Sequence, residues 1–431
     1  AGAASVSPYV VAAGVAALGS AALSRTRASL VTAPSASSQP DPGLASPDAS
    51  VAGSAAAGAG AGAGEGRAGA GRTGEPVVRV PLGWLLDVGG AAVRARALAE
   101  LGGTVLGEGI RGEAEQIALG HRPAVWLALR QGRNGSWSEA MLALPAPDDP
   151  TFAGVGTVPA VRRLAEYGWP LESPSFAAAR RPLFRLLAQD EDPACLYELR
   201  ALAGDPARAR HERARLRDAA GAALARIGGE ADPRLRGIAA RMLVRAAAWL
   251  RSREADAGAV ATEFAAPPSR DALAMLAFMP VFRSEHGQEV NFLLAALAAT
   301  PPETGRGRRV PGVRIGGTLV EHPELVVADP IPERIEPGAA TLPGLLTWLE
   351  ILARLGALRR HDRWRQVLDR LLDARDRDGR FLRTAAPGGS DPFVWPMYPL
   401  GDVTSSAERA AEATFRLALI ARLAGRPLEL A

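Results

Sequence analysis

The sequence predicts an all-α fold on three observations. From Val77 onward, apolar residues recur at three- and four-residue intervals in about twelve separate segments, the period of a helix with one buried face. Short loops rich in Gly, Pro and Asp separate the segments, and several open with Asp-Pro or Ser-Pro. That pair is an N-cap acceptor followed by a proline where the missing N–H has no helical partner to lose. Strand-like patterning is confined to one stretch, Val310–Val320.

In chain order, residues 1–76 carry Ala, Gly, Ser and Pro with few large apolar side chains. Such a segment buries too little surface to offset its ordering entropy, so a disordered leader or linker is expected there, ahead of one folded domain at 77–431. Within it, Tyr9–Leu23 is mildly apolar, too short to span a bilayer and not preceded by basic residues. A cytoplasmic chain without a transmembrane segment is expected, with export by an N-terminal signal as the alternative.

The spacing predicts helices at about 91–101, 113–131, 157–167, 174–189, 193–203, 206–227, 233–254, 268–280, 285–299, 342–356, 361–376 and 404–424. Ser173-Pro174, Asp192-Pro193, Asp205-Pro206 and Asp232-Pro233 mark four of the starts. Pro182, inside the fourth helix, predicts a kink or an early break. In VPGVRIGGTLV, Gly316-Gly317 lies between two β-branched runs and predicts a small β-hairpin excursion. Gly425, followed by Pro427, ends the last helix.

Composition removes whole classes of chemistry. The 50 basic and 46 acidic residues leave a net charge of +4, and every basic residue is arginine, as GC-rich coding produces. Without lysine there is no Walker-A loop, no pyridoxal Schiff base and no kinase-type lysine. The densest basic stretch, ARARHERARLR at 207–217, spreads its arginines over several helical angles with Glu212 and Asp218 interspersed, and reads as a solvated helix face. No nucleic-acid partner is expected. Cys195, the single cysteine, excludes a disulfide framework and a cysteine-based zinc site. It reads as a buried thiol among leucines.

The stretch LDRLLDARDRDGRF, 368–381, looks at first like a metal loop. With Gly379 at the sixth position of a calcium loop, Asp376 and Asp378 fall in place, but alanines stand at the first and twelfth positions, so the loop fails. A second stretch explains it better. RPAVWLALRQGRNGSW, 122–137, aligned on Gly135 and Gly379, sets RNGSW against RDGRF, each after a leucine-faced helix. The two read as copies of one unit.

The first copy resembles the QW motif of the terpenoid cyclase and protein prenyltransferase superfamily, with Arg122, Trp126-Leu127, Gln131, Gly135 and Trp137 at the motif's offsets and Pro123 in place of its usual small residue. The second copy is degenerate. It keeps Leu371, Gly379 and Phe381, with Arg375 where Gln would stand. The motif is a structural clamp, in which Gln satisfies backbone groups at a helix end, Gly permits the turn and the aromatic packs on the next helix. The resemblance implies an α/α toroid of about six helical hairpins, and it carries over no catalytic residue. The cyclases' DxDD acid has its nearest match in Asp190-Glu191-Asp192-Pro193, where Asp192 is also explained as a cap.

Three groups remain as candidates. Asp192 is one acid/base candidate, and Glu285, His286 and Glu289 in FRSEHGQEVNF form another, with helix capping as the competing account. Phe393, Trp395 and Tyr398 in DPFVWPMYPLGD, held extended by Pro396 and Pro399, form a candidate ligand-binding loop, with a structural loop docked over the toroid mouth as the alternative. No metal ligands and no cofactor motif are recognised. The expected function is a toroid that binds an apolar or extended ligand, or a protein partner, in its central cavity. The alternatives are a cyclase- or lyase-type enzyme using cavity acids, and an open helical-repeat scaffold.

Overall fold

The computed structural model describes residues 76–102, 109–146, 149–188, 197–202, 204–256, 258–302, 310–332, 341–383, 391–397 and 405–431. All lie in the unit Arg72–Ala431. The expected leader, Asp192, Cys195 and Tyr398 fall outside the described residues.

The described residues are mostly helical. Strand β1 (Val78–Val80) leads into α1 (Leu82–Val88) and α2 (Ala91–Arg96), which widens into a π turn at Ala97–Gly102. There follow α3 (Gly109–Leu119), α4 (Arg122–Leu129), α5 (Thr157–Glu166), α6 (Pro174–Ala188), α7 (Tyr197–Arg200), α8 (Pro206–Arg226) and α9 (Pro233–Ala255). After β2 (Ala261–Thr262) come α10 (Arg270–Ala277), α11 (Pro280–Glu285) and α12 (Gly287–Ala299), then the hairpin β3 (Gly312–Ile315) and β4 (Thr318–Glu321). The chain ends with α13 (Leu342–Arg354), α14 (Asp362–Asp373), α15 (Ser406–Leu423) and β5 (Leu428–Leu430).

Local chemistry sets these boundaries. The Asp205 carboxylate accepts the Arg208 N–H at 3.0 Å and Asp232 accepts that of Arg234 at 2.9 Å, each with proline at the next position. The hairpin turns on Gly316 and Gly317, at φ 53° and 88°, the pair of positive angles that lets two strands twist together across a two-residue loop.

Four expectations need correction. The helix expected at 113–131 is two helices, α3 and α4, because the chain breaks at Gly120–His121 and Pro123 sits in the first turn of a new one. The segment at 268–280 stops at Ala277, and Pro280 opens the separate helix α11. Helix α1 was not expected, since its seven residues are too few for a periodic signal. Of the kink or early break expected at Pro182, the break does not occur, since α6 continues to Ala188. The Ala178 carbonyl, deprived of the N–H that residue 182 would have supplied, instead faces Gly135.

Burial alternates along the chain. All of α5 is buried, as are Ala272–Ala277 of α10, Ala410–Ala421 of α15 and most of α13, whereas α6, α9, α12 and α14 bury one stripe each. The buried helices touch in succession: α5 packs on α8, α8 on α10, α10 on α13, α13 on α15, and α15 on α2. Strand β1 pairs in parallel with β5, and α1 packs on α15, so the two ends of the described region meet.

The two motif turns share one geometry. In the first, Gly132 N donates to Ser136 O and Gly135 N to Gly132 O; in the second, Asp376 N donates to Arg380 O and Gly379 N to Asp376 O. Gly135 and Gly379 have φ of 86° and 85°, and a Cβ at either would lie within 2.5 Å of a carbonyl oxygen, that of Ala178 or Arg79. Trp137 N and Phe381 N each donate to a buried threonine hydroxyl, Thr157 and Thr414. Gln131 Nε2 donates to Gly135 O and across to Ser175 O at 2.8 Å, while Arg375 reaches Arg79 O at 2.8 Å. Trp126 is covered by the Arg122 guanidinium at 4.2 Å. Asp376 and Asp378 are turn residues, the first accepting from Asp378 N and Arg380 N.

Candidate functional site

Among the described residues, the candidates from the sequence do not converge. Glu285, His286 and Glu289 lie on the surface where α11 meets α12. Glu285 pairs with Arg236, and His286 stacks on Phe282 at 4.3 Å and faces Glu289 at 4.0 Å. Phe393 and Trp395 sit in the loop 391–397, which is not extended as expected but coiled into turns, Trp395 N donating to Asp391 O at 2.9 Å and Met397 N to Val394 O at 3.0 Å. Arg162 and Arg270 lie over the Phe393 ring and Arg163 over that of Trp395. Phe393 also stacks on Trp348 at 5.3 Å.

That loop covers a buried charge network at the meeting point of α2, α5, α8, α13 and α15. Glu166 of α5 receives Arg96, Arg416 at 2.8 Å and Arg226 at 3.2 Å. Glu350 receives Arg416 at 2.7 Å and Arg354 at 2.8 Å, and Glu100 receives Arg96 at 2.6 Å. Arg416 also donates to Met397 O at 2.6 Å and Arg163 to Trp395 O at 2.5 Å, so the loop's carbonyls complete the cluster. Burial would raise the carboxyls, but the surrounding guanidiniums hold Glu166 and Glu350 below the ordinary range and bring Glu100 down to about 2. Glu412 is the exception. Burial pushes it up to about 7 against the pull of Arg416, 3.5 Å away, and of Arg163 and Arg96.

A second concentration of charge surrounds a cavity of about 340 Å³. Helix α8 contributes Arg210, Arg213 and Arg217, and α9 contributes Arg241 and Arg245, at offsets that put each set on one helix face. Two carboxylates, Asp218 and Glu263, are among the described residues of the lining. The buried Nε atoms of Arg213 and Arg245 have no hydrogen-bond partner among the described residues. Val313 and Ile315 of β3 close one side, and His211 and His322, each 5% exposed, meet edge to face at 4.2 Å.

The residues around the cavity are held in place. Glu324 accepts from His322 Nδ1 at 3.0 Å and Arg215 at 3.1 Å; burial would raise its carboxyl, but those two partners take it down to about 2. Ser269 donates to Asp218 at 2.6 Å while accepting the Ala272 N–H as the cap of α10. Burial raises Asp218 against that hydrogen bond and the nearby Arg245. Burial, with His322 beside it, lowers His211 to about 4, so its imidazole is neutral at pH 7.

Read as a sequence, this helix is a solvated face. The missed signal is the partner helix: Ile238, Arg241, Met242 and Arg245 follow the spacing of one face, which brings two more arginines onto the first set. Among the described residues no group of three or more side chains could hold a metal ion, and no helix is long and apolar enough to cross a membrane. Comparison with protein-family models, curated proteins and solved structures gives no match.

Proposed function

We propose that the chain is an α/α toroid of the terpenoid cyclase and prenyltransferase kind that serves as a receptor for a small multivalent anion, a phosphate or polycarboxylate. Support for the ring comes from the succession of contacts among buried helices, from one-sided helices that alternate with them, and from ends that meet. The matched turns at Gly135 and Gly379 agree with it. The centre of such a ring carries the charge network, which argues against an apolar ligand there and favours the arginine pocket.

One observation carries the anion reading: Arg213 and Arg245, from two adjacent helices, line a single cavity with Arg210 and Arg241, and their Nε donors have no hydrogen-bond partner among the described residues. Arginine stays charged at any physiological pH and presents donors in a fork that matches phosphate and carboxylate oxygens. The test is calorimetric titration of the full chain with inorganic pyrophosphate at low and at moderate salt. Saturable binding that weakens with salt, and at least tenfold weaker binding by an Arg213→Gln, Arg245→Gln double variant, is the expected result. Heat indistinguishable from dilution, or a double variant that binds like the parent chain, would overturn the reading.

A further inference from the structure

We propose that the pocket's ligand is a nucleoside phosphate, with its phosphates on the arginines and its base stacked on Phe264. This rests on the anion reading above. Phe264 lines the same cavity yet is 77% exposed, the most exposed of the large apolar side chains among the described residues. Its position is not that of a slack surface loop. Thr262 N donates to Ala265 O at 2.8 Å, Ala265 N returns the bond to Thr262 O, and Ala266 N is tied to Arg245 O of α9. A closed turn anchored on the arginine helix therefore presents the ring at the mouth. Keeping a phenyl group in water is unfavourable, and a planar ligand ring laid on it would remove that exposed face.

From the buried Nε atoms of Arg213 and Arg245, through Glu263, 32% exposed, to the exposed Phe264, the lining runs in the order of the parts of a nucleotide. Guanidiniums with orphaned Nε donors lie within, where phosphate oxygens would sit. Glu263, adjacent to Phe264, pairs only loosely with Arg210 at 3.9 Å, which leaves carboxylate oxygens to accept sugar hydroxyls between phosphate and base. The cavity of about 340 Å³ falls in the range of small-ligand sites, roughly 300–1,000 Å³. Stacking on an aromatic face accepts any base, so the geometry selects the class and not the base.

The test compares adenosine diphosphate with inorganic pyrophosphate by calorimetry on the full chain, on Phe264→Ala and on Phe264→Trp. The diphosphate nucleoside is expected to bind about tenfold tighter than pyrophosphate to the parent chain. Phe264→Ala should abolish that difference while leaving pyrophosphate unchanged, and Phe264→Trp should restore it. Pyrophosphate binding without a preference for the nucleotide, or an equal loss of both ligands in Phe264→Ala, overturns the nucleotide assignment and leaves the anion pocket standing. Failure of both ligands to bind the parent chain overturns the two readings together.

Discussion

Glu166→Gln tests whether the buried charges hold the helices in place. The Glu166 side chain is 1% exposed, and it ties α5 to α2, α8 and α15 through Arg96, Arg226 and Arg416. Glutamine keeps the shape but removes the charge, and its amide sets N–H donors against guanidinium donors. Breaking a buried ion pair by neutralising one partner costs about 3–5 kcal/mol, because the remaining charges stay desolvated. With an unfolding entropy of roughly 2.1 cal/mol/K per residue, a unit running from Arg72 to Ala431 carries about 0.75 kcal/mol/K, so the Tm should fall by about 4–7 °C. Scanning calorimetry at pH 7 measures it, with Glu285→Gln as the control. Glu285 is 46% exposed opposite Arg236, and losing that pair should cost about 0–1 kcal/mol. A Glu166→Gln transition that coincides with that of Glu285→Gln would refute the reasoning.

Other outcomes follow from the same geometry. Because Glu412 is raised from 4.5 to about 7, the folded chain keeps a proton that the unfolded chain releases over that interval. Its contribution is complete below about 4.5 and is lost as pH rises through about 7. Glu412→Gln should remove that decline and raise the Tm at pH 8; a variant whose Tm falls with pH as the parent's does contradicts it. Gly379→Ala should lower the Tm by several degrees, since its Cβ would lie 2.5 Å from Arg79 O at a φ of 85°, and a Tm within a degree of the parent's would show that the turn relaxes freely. Trp137→Ala removes a ring packed on the core and its bond to Leu127 O, and should cost about 3 kcal/mol, whereas Asp376→Asn with Asp378→Asn should change stability by less than about 1 kcal/mol. Equal effects from the two, measured by denaturant titration, would remove the structural role assigned to the turn.

Much of the helical content was legible because it depends on local signals. Asp205, Asp232 and their prolines mark the starts of α8 and α9, and Gly316-Gly317 gives the hairpin. The repeat of Gly135 and Gly379 could be read from spacing, and its hydrogen bonds match residue for residue. What remained hidden depends on partners far away in sequence. No local pattern says that Arg96, Glu166, Glu350 and Arg416 meet, because each looks like an ordinary charge on an otherwise apolar helix. The same holds for the pocket. Arg213 and Arg217 change from a wet surface to a site wall only when Arg245 and the sheet close over them. Phe393 and Trp395 were singled out as candidate ligand-binding residues; that their rings receive arginines is a pairing that spacing along one segment cannot reveal.

The pairing of Val78–Val80 with Leu428–Leu430 also bears on when this molecule can finish folding. During synthesis the first strand leaves the ribosome long before its partner exists, and α1 waits equally for the helix it packs on. Closing a segment of that length costs about 5 kcal/mol of chain entropy, more than three residue pairs of ladder can return by themselves. The seam therefore forms together with the packing of α1 on α15, as a final cooperative step after translation has passed Leu430. Until then Leu85 and Phe415, which end up in one shared cluster, remain uncovered, and that interval is when the nascent chain is most exposed to aggregation and to chaperones.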